Sequence, residues 1–192
     1  MEKPVKEIKE NYFKYRKLLG EAKTSSVSLI VLDEIKGNHN NTRIKKVVIC
    51  HSTLPDKLEL TIESKVENDK DFKFNLRAPE YTDKPFFRFD SDGLSHYNRA
   101  PDIELPEQKI DTPHFHKFDS KGRNIAYKTN SLKKENECKA LLEDINLCMA
   151  HYCDESKTYY NKGEYIEIIQ TPPNELNFDS NFDNPLEGVI YE

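Results

Sequence analysis

The residues best suited to chemistry lie in one stretch of the chain, between Phe87 and Phe118. Three of the six histidines of this 192-residue sequence, His96, His114 and His116, fall there among carboxylates and arginines. Imidazole changes its charge near neutral pH and is the commonest protein ligand of metal ions. We therefore expect any functional site to lie in this stretch.

The motif His114-Phe-His116 offers two imidazoles on one face of a predicted strand. Side chains two residues apart in a strand point to the same side, about 7 Å apart along it, so both rings can converge on one atom or group. A nearby loop could bring in His96 as a third nitrogen ligand. An oxygen ligand could come from one of three aspartates: Asp90, Asp92 or Asp111. The candidate cofactor is a divalent metal such as zinc, nickel or iron, with His114, His116, His96 and Asp111 as candidate ligands.

Two other interpretations of the same histidines stay open. They could divide acid and base roles around a phosphodiester, with Arg88 or Arg99 stabilising the developing negative charge. They could also be purely structural, because a His-x-His pair in a strand often only hydrogen-bonds a neighbouring loop. The sequence has no Gly-rich phosphate loop, no GxSxG and no HExxH, which disfavours those common enzyme classes.

The elements that must position these residues are predicted from hydrophobic periodicity. Residues 4–19 have the spacing of a helix that ends at Gly20, and an amphipathic helix with a long apolar stripe opens at Ser131. Between them, alternating runs separated by turn signals predict an antiparallel sheet of about five strands. The predicted fold class is α+β, an antiparallel β-meander sheet with an N-terminal helix and a C-terminal amphipathic helix packed on it.

Charge divides the chain into a single neutral domain, residues 1–170, and an acidic C-terminal extension, residues 171–192. The extension contains five acidic residues and no Lys, Arg or His, which accounts for the whole net charge of −5. A neutral body lacks the broad positive surface that drives non-specific nucleic-acid binding. The extension is instead a candidate site for a protein partner. No apolar run is long enough to span a membrane and no signal peptide follows Met1, so the protein is predicted to be cytoplasmic.

Four short motifs follow one another in an order and at spacings that can be compared with those of known families. They are Arg88-Phe-Asp90-Ser-Asp-Gly93, His96-Tyr-Asn98, Pro113-His114-Phe-His116-Lys-Phe118 and Tyr152-Cys153. With them, residues 54–153 resemble an uncharacterised family of small bacterial and prophage proteins, a domain-of-unknown-function family. Its members share Arg-x-Asp-x-x-Gly, a His followed by Asn-Pro-Asp-Gly, then Pro-His-x-His-x-Tyr, and a helix ending near Tyr-Cys. This chain departs from that pattern at Asn98-Arg-Ala-Pro-Asp102, which has no glycine, and at Phe118, which replaces the tyrosine.

The resemblance implies that the three histidines recur together in mobile-element settings, which suggests a toxin, defence or counter-defence role. The leading functional hypothesis is a His-lined pocket with phosphodiesterase or ribonuclease activity. In it, His114 and His116 are the acid/base or ligand pair, His96 is the third member, and Arg88 or Arg99 contacts the anion. The alternative is a non-enzymatic binding or inhibitory protein that engages a partner through its acidic extension or a sheet edge.

Overall fold

The computed structural model of the chain describes residues 3–170 and has the mixed α+β fold that the sequence predicted. A short 3-10 helix lies at Leu105–Glu107. The helices are α1 (Lys6–Glu10), α2 (Tyr12–Gly20), α3 (Asn130–Lys133), α4 (Glu135–Glu143) and α5 (Ile145–Ser156). The strands are β1 (Lys23–Ser25), β2 (Leu29–Leu32), β3 (Glu34–Lys36), β4 (His39–His51), β5 (Lys57–Lys65), β6 (Phe72–Arg77), β7 (Phe87–Asp90), β8 (His96–Tyr97), β9 (Lys109–Ile110), β10 (His114–Phe118), β11 (Asn124–Tyr127), β12 (Thr158–Tyr160) and β13 (Glu167–Gln170).

Most of these strands belong to one large sheet, in the order β11-β10-β7-β6-β5-β4-β1-β12, with β3 also paired to β4. Its neighbours are antiparallel except β1 and β12, which are parallel. A parallel pair, β2 with β13, and an antiparallel pair, β8 with β9, lie outside it. The predicted antiparallel sheet of about five strands is therefore too small, and it lacks both parallel pairings. Periodicity identifies a strand but carries no information about a partner that is distant in the sequence.

The two faces of the large sheet differ in chemistry because side chains alternate along each strand. Phe74, Phe89 and Phe115 lie on one face of β6, β7 and β10 and are fully buried. Tyr152 of α5 packs on this aromatic layer, with its ring centroid 5.3 Å from that of Phe74. Helix α5 thus covers the apolar face, and the opposite face of β7 and β10 carries the polar side chains of the predicted site.

Both helical regions are more broken than the sequence predicted. The single helix expected at residues 4–19 is divided at Asn11, whose side chain accepts a hydrogen bond from the Lys14 amide at 3.1 Å and so caps α2. The region after β11 is three helices, and Asp144 caps the last of them by accepting from the Asn146 amide at 2.8 Å. Asn and Asp side chains compete for backbone groups in this way, which ends one helix and starts another.

The buried apolar side chains of the described residues form one hydrophobic core that runs from Val5 to Ile168. Within residues 3–170, no helix is long and apolar enough to cross a membrane. The acidic extension predicted at residues 171–192 lies outside the described residues.

Replacing each of two buried tyrosines by phenylalanine should change the free energy of unfolding in opposite directions. The Tyr152 hydroxyl has no hydrogen-bond partner among the described residues, whereas the Tyr15 hydroxyl accepts from the Phe118 amide at 2.7 Å and donates to the Phe86 carbonyl at 3.3 Å. A buried polar group costs free energy unless it is hydrogen-bonded. We expect Tyr152→Phe to raise the free energy of unfolding by about 1 kcal/mol and Tyr15→Phe to lower it by about 1–2 kcal/mol. Urea denaturation of both variants measures this, and a loss of stability in Tyr152→Phe would contradict the packing described.

Candidate functional site

The register of two neighbouring strands builds the site. Strand β7 pairs with β10 so that Asp90 lies opposite His114 and Arg88 lies opposite His116. Because residues two apart share a face, the four side chains form a compact polar group on the side of the sheet away from the aromatic layer. We call these four residues the β7–β10 cluster.

The distances within the β7–β10 cluster are short. Asp90 Oδ2 lies 3.3 Å from His116 Nε2 and 3.7 Å from His114 Nε2. One guanidinium nitrogen of Arg88, Nη2, lies 2.9 Å from Asp90 Oδ2 and 2.7 Å from His116 Nε2. The Arg88 guanidinium therefore bridges Asp90 and His116, and His114 lies near the same carboxylate oxygen.

The position of Arg88 fixes the proton on His116. A guanidinium has only donors, so His116 Nε2 must accept from it and must carry a lone pair. The proton of the neutral ring then lies on Nδ1 and is donated to Asn124 Oδ1, 3.1 Å away. Burial, reinforced by the charge of Arg88, lowers the pKa of His116 to about 4, in spite of the opposing effect of Asp90. His116 is thus a neutral imidazole at physiological pH.

Asp90 is ionised, and some polar atoms of the cluster around it lack hydrogen-bond partners. Burial by itself would raise the pKa of Asp90, but the facing side chain of His114 and the charge of Arg88 outweigh it and hold this pKa well below its ordinary value. Three atoms of the cluster, Arg88 Nε, Asp90 Oδ1 and His114 Nδ1, are nevertheless buried with no hydrogen-bond partner among the described residues. Since buried polar atoms are nearly always paired, three such atoms in one cluster indicate a site suited to binding a ligand.

His96 approaches the β7–β10 cluster from the separate β8–β9 pair. Its ring centroid is 4.8 Å from that of His116 and 6.4 Å from that of His114. The three imidazoles predicted from sequence are therefore brought together. The rings of His114 and His116 are almost fully buried, and His96 is half-buried at the edge of the group.

A buried asparagine holds the β8–β9 segment in place. Asn98 Nδ2 donates to the Ala126 carbonyl at 2.8 Å, and Asn98 Oδ1 accepts from the Ala126 amide at 2.8 Å. Asn98 Nδ2 also donates to the Glu107 carbonyl at 2.8 Å. This side chain therefore occupies the place of a further strand beside β11 and brings His96 over the site.

Two cavities flank the histidines and share Asn124 as a common wall. One, of about 300 Å³, is lined by His96, Tyr97 and Arg99 among others. The second, of about 310 Å³, is lined by His116 together with a set of charged residues: Arg77, Asp83, Lys84 and Arg88. Both volumes are in the range of small-ligand sites. The second cavity is the one that reaches the β7–β10 cluster directly.

Two of the predicted site residues lie elsewhere. Arg99 is exposed, with its guanidinium carbon 5.7 Å from the centre of the Tyr97 ring, so it lines the first cavity and does not join the β7–β10 cluster. Asp111, the expected oxygen ligand, is exposed and is paired with Lys109 at 3.2 Å and with the Ser95 hydroxyl. Its place is taken by Asp90, because the strand register sets Asp90 directly opposite His114.

Sequence reasoning assigned no positioning role to two asparagines, Asn98 and Asn124, that contact the segments carrying the histidines. Asn98 belongs to the quoted motif His96-Tyr-Asn98, but asparagine is common in loops and at strand ends, so its presence does not indicate that role. No protein-family model, no curated protein and no solved structure matches the chain. The resemblance to the prophage family therefore stays a prediction, and the case for function depends on the geometry alone.

The role of Asn98 gives a prediction with a matched control in the same protein. Asn98→Ala should lower the free energy of unfolding by about 2–3 kcal/mol, because its hydrogen bonds to Ala126 and Glu107 are lost. Asn146 of α5 makes the same two-sided pairing with Ile168 of β13, at 2.7 and 3.2 Å, and neither residue belongs to the site. We expect hydrogen exchange of the Ala126 amide to accelerate in Asn98→Ala and to stay unchanged in Asn146→Ala. Equal protection of this amide in all three proteins would show that Asn98 does not hold the β8–β9 segment.

Proposed function

We propose that the protein is a phosphodiesterase or ribonuclease. One observation carries the proposal: a carboxylate, three imidazoles and a guanidinium converge beside two cavities of about 300 and 310 Å³. Imidazoles transfer protons near neutral pH, and a guanidinium stabilises the charge that develops on a phosphoryl group. The predicted residues His96, His114, His116 and Arg88 keep their proposed roles, and Asp90 joins them.

The second cavity supports a phosphate-binding role. Arg77, Lys84 and Arg88 line it together, and the side chain of Arg88 is one-third exposed there. Arginine binds phosphate through paired hydrogen bonds, and lysine adds a further positive charge. In this proposal a phosphodiester lies with its phosphate in this cavity. Its flanking groups extend past Asn124 towards the cavity lined by His96.

Two chemistries are open to His114 and His116 in this reaction. As an acid/base pair they would exchange protons with the attacking and leaving oxygens, while His96 acts from the opposite side. As ligands they would hold a divalent metal with Asp90. The prophage-family resemblance adds a toxin, defence or counter-defence setting to the proposal, and the cytoplasmic location expected from the sequence remains part of it.

Partner binding is the second candidate function, and an exposed apolar surface favours it. Leu29, Val31 and Ile169 of the β2–β13 pair are 43%, 38% and 49% exposed, next to the point where the chain passes into residues 171–192. Exposed apolar patches of this kind often mark interaction sites.

Substitution of the site histidines tests the enzymatic proposal. We expect His96→Ala and His114→Ala each to reduce cleavage of RNA, DNA or cyclic-nucleotide substrates by about 100-fold or more, the usual contribution of a proton-transfer group. The control is His51→Ala. His51 is bound to the Lys17 carbonyl at 3.0 Å and to the Thr53 and Leu54 amides, so its loss should lower the melting temperature and leave activity intact below it. A wild-type protein inactive on every substrate, with each of several divalent metals, would end the proposal.

Removal of residues 171–192 separates the two candidate functions. Catalysis should persist in the protein truncated after Gln170, because every described site residue precedes that point. Any protein partner held by the extension should be lost in a pull-down. A partner retained by the truncated protein would remove the proposed role of the extension.

A further inference from the structure

We propose that Asp90, His114 and His116 form a binding site for a divalent transition-metal ion, and that the Arg88 guanidinium occupies the ion's position in the state described. Within residues 3–170, these three side chains are the one group of His, Cys, Asp and Glu residues with donor atoms all within 4.8 Å of one another. The inference concerns binding and does not depend on the proposed phosphodiesterase activity.

The donor atoms are already close to the spacing that a metal ion requires. With bonds of about 2.0–2.1 Å, two ligands of a tetrahedral zinc ion lie about 3.4 Å apart. Asp90 Oδ2 lies 3.3 Å from His116 Nε2 and 3.7 Å from His114 Nε2. The two histidine donor atoms lie within 4.8 Å of each other, so the two rings would approach each other by up to about 1.4 Å as all three donor atoms close on one ion.

His116 and Asp90 are also in the protonation states that metal ligands require. His116 Nε2 carries a lone pair because Arg88 Nη2 can only donate to it, and this lone pair faces the ionised Asp90 across 3.3 Å. Two lone pairs at that distance repel each other unless a positive group lies between them. Arg88 Nη2, at 2.9 and 2.7 Å from the two atoms, is that group.

The guanidinium satisfies this set only in part. Within the set, Arg88 contacts Asp90 and His116, and His114 Nδ1 and Asp90 Oδ1 have no partner among the described residues. A metal ion with three or four coordination positions would engage His114 as well. His116 already has the outer contact that orients a ligating imidazole, its Nδ1 donating to Asn124 Oδ1 at 3.1 Å.

Arg88 has a place to move to when an ion binds. Its side chain is 33% exposed and lines the second cavity, where the Asp83 side chain is a possible new partner and Arg77 and Lys84 add positive charge. An oxyanion in that cavity would attract the guanidinium away from Asp90. Metal and phosphate would then each favour the binding of the other, since both require Arg88 in the outward position.

Two histidines and one carboxylate with further positions open are the donor set of catalytic zinc sites and of non-haem iron sites. Nitrogen and oxygen donors of this kind favour Zn²⁺ or Co²⁺ over Mg²⁺, which prefers oxygen and water. His96 lies beside the set, with its ring centroid 4.8 Å from that of His116.

Titration of the tag-free full-length protein with Zn²⁺ by calorimetry tests the inference. We expect one equivalent of Zn²⁺ to bind. Arg88→Met should tighten binding about tenfold or more, because a competing positive charge is removed. Asp90→Asn and His114→Gln should weaken it by about 100-fold or more, because each removes a ligand. Arg99→Met and Asp111→Asn, which alter nearby exposed charges outside the set, should leave it unchanged.

Co²⁺ provides a readout of the coordination itself. The Co²⁺-loaded wild type should have the visible absorption of a nitrogen- and oxygen-ligated ion, and Asp90→Asn should lose it while keeping its circular dichroism spectrum. Equal Zn²⁺ affinity in wild type and Asp90→Asn would place any bound ion elsewhere and overturn the inference. Failure of both wild type and Arg88→Met to bind Zn²⁺ would also overturn it. Neither result depends on whether the protein cleaves a phosphodiester.

Discussion

The contact of one Arg88 nitrogen with both Asp90 and His116 is the interaction on which the site depends. Without a positive group at that point, an ionised carboxylate and an imidazole lone pair would face each other in a buried place, which is costly. Arg88 Nη2, 2.9 Å from Asp90 Oδ2 and 2.7 Å from His116 Nε2, is that positive group. In the metal site that we propose, the guanidinium fills the position that an ion would take.

The surroundings of this contact hold Asp90, His114 and His116 in place and leave the Arg88 side chain partly exposed. Beneath it, the aromatic layer of Phe74, Phe89 and Phe115 fixes β7 and β10 in register and excludes water. Above it, Asn98 fixes the segment that carries His96. Arg88 alone in the β7–β10 cluster has a substantially exposed side chain, whereas its partners are almost fully buried. The buried donors and the partly exposed cation are therefore different residues, so the proposed displacement of Arg88 by an ion would leave the donors in place on their strands.

Much of this arrangement could be predicted from sequence, and the part that could not has a physical reason. Alternation in the strands predicted that His114 and His116 share a face, and the geometry agrees. The choice of Asp90 over Asp111 depends on strand register, and the position of His96 depends on the contacts of the Asn98 side chain. Both are long-range features that the local sequence pattern does not show. Lys23 is a further example: it is buried, its Nζ donating to the Leu18 and Glu21 carbonyls at 2.7 Å, although its sequence context is that of a surface lysine.

The protonation of His116 tests the central claim most directly, because it decides whether a lone pair or an N–H faces Asp90. Long-range proton–nitrogen NMR correlation of the histidine rings distinguishes the two forms. We expect His116 to be neutral at pH 7 with its proton on Nδ1, in agreement with the Arg88 and Asn124 contacts and with a pKa that burial lowers to about 4. A proton on Nε2, in either a neutral or a doubly protonated ring, would mean an ordinary histidine–aspartate hydrogen bond and would contradict the account.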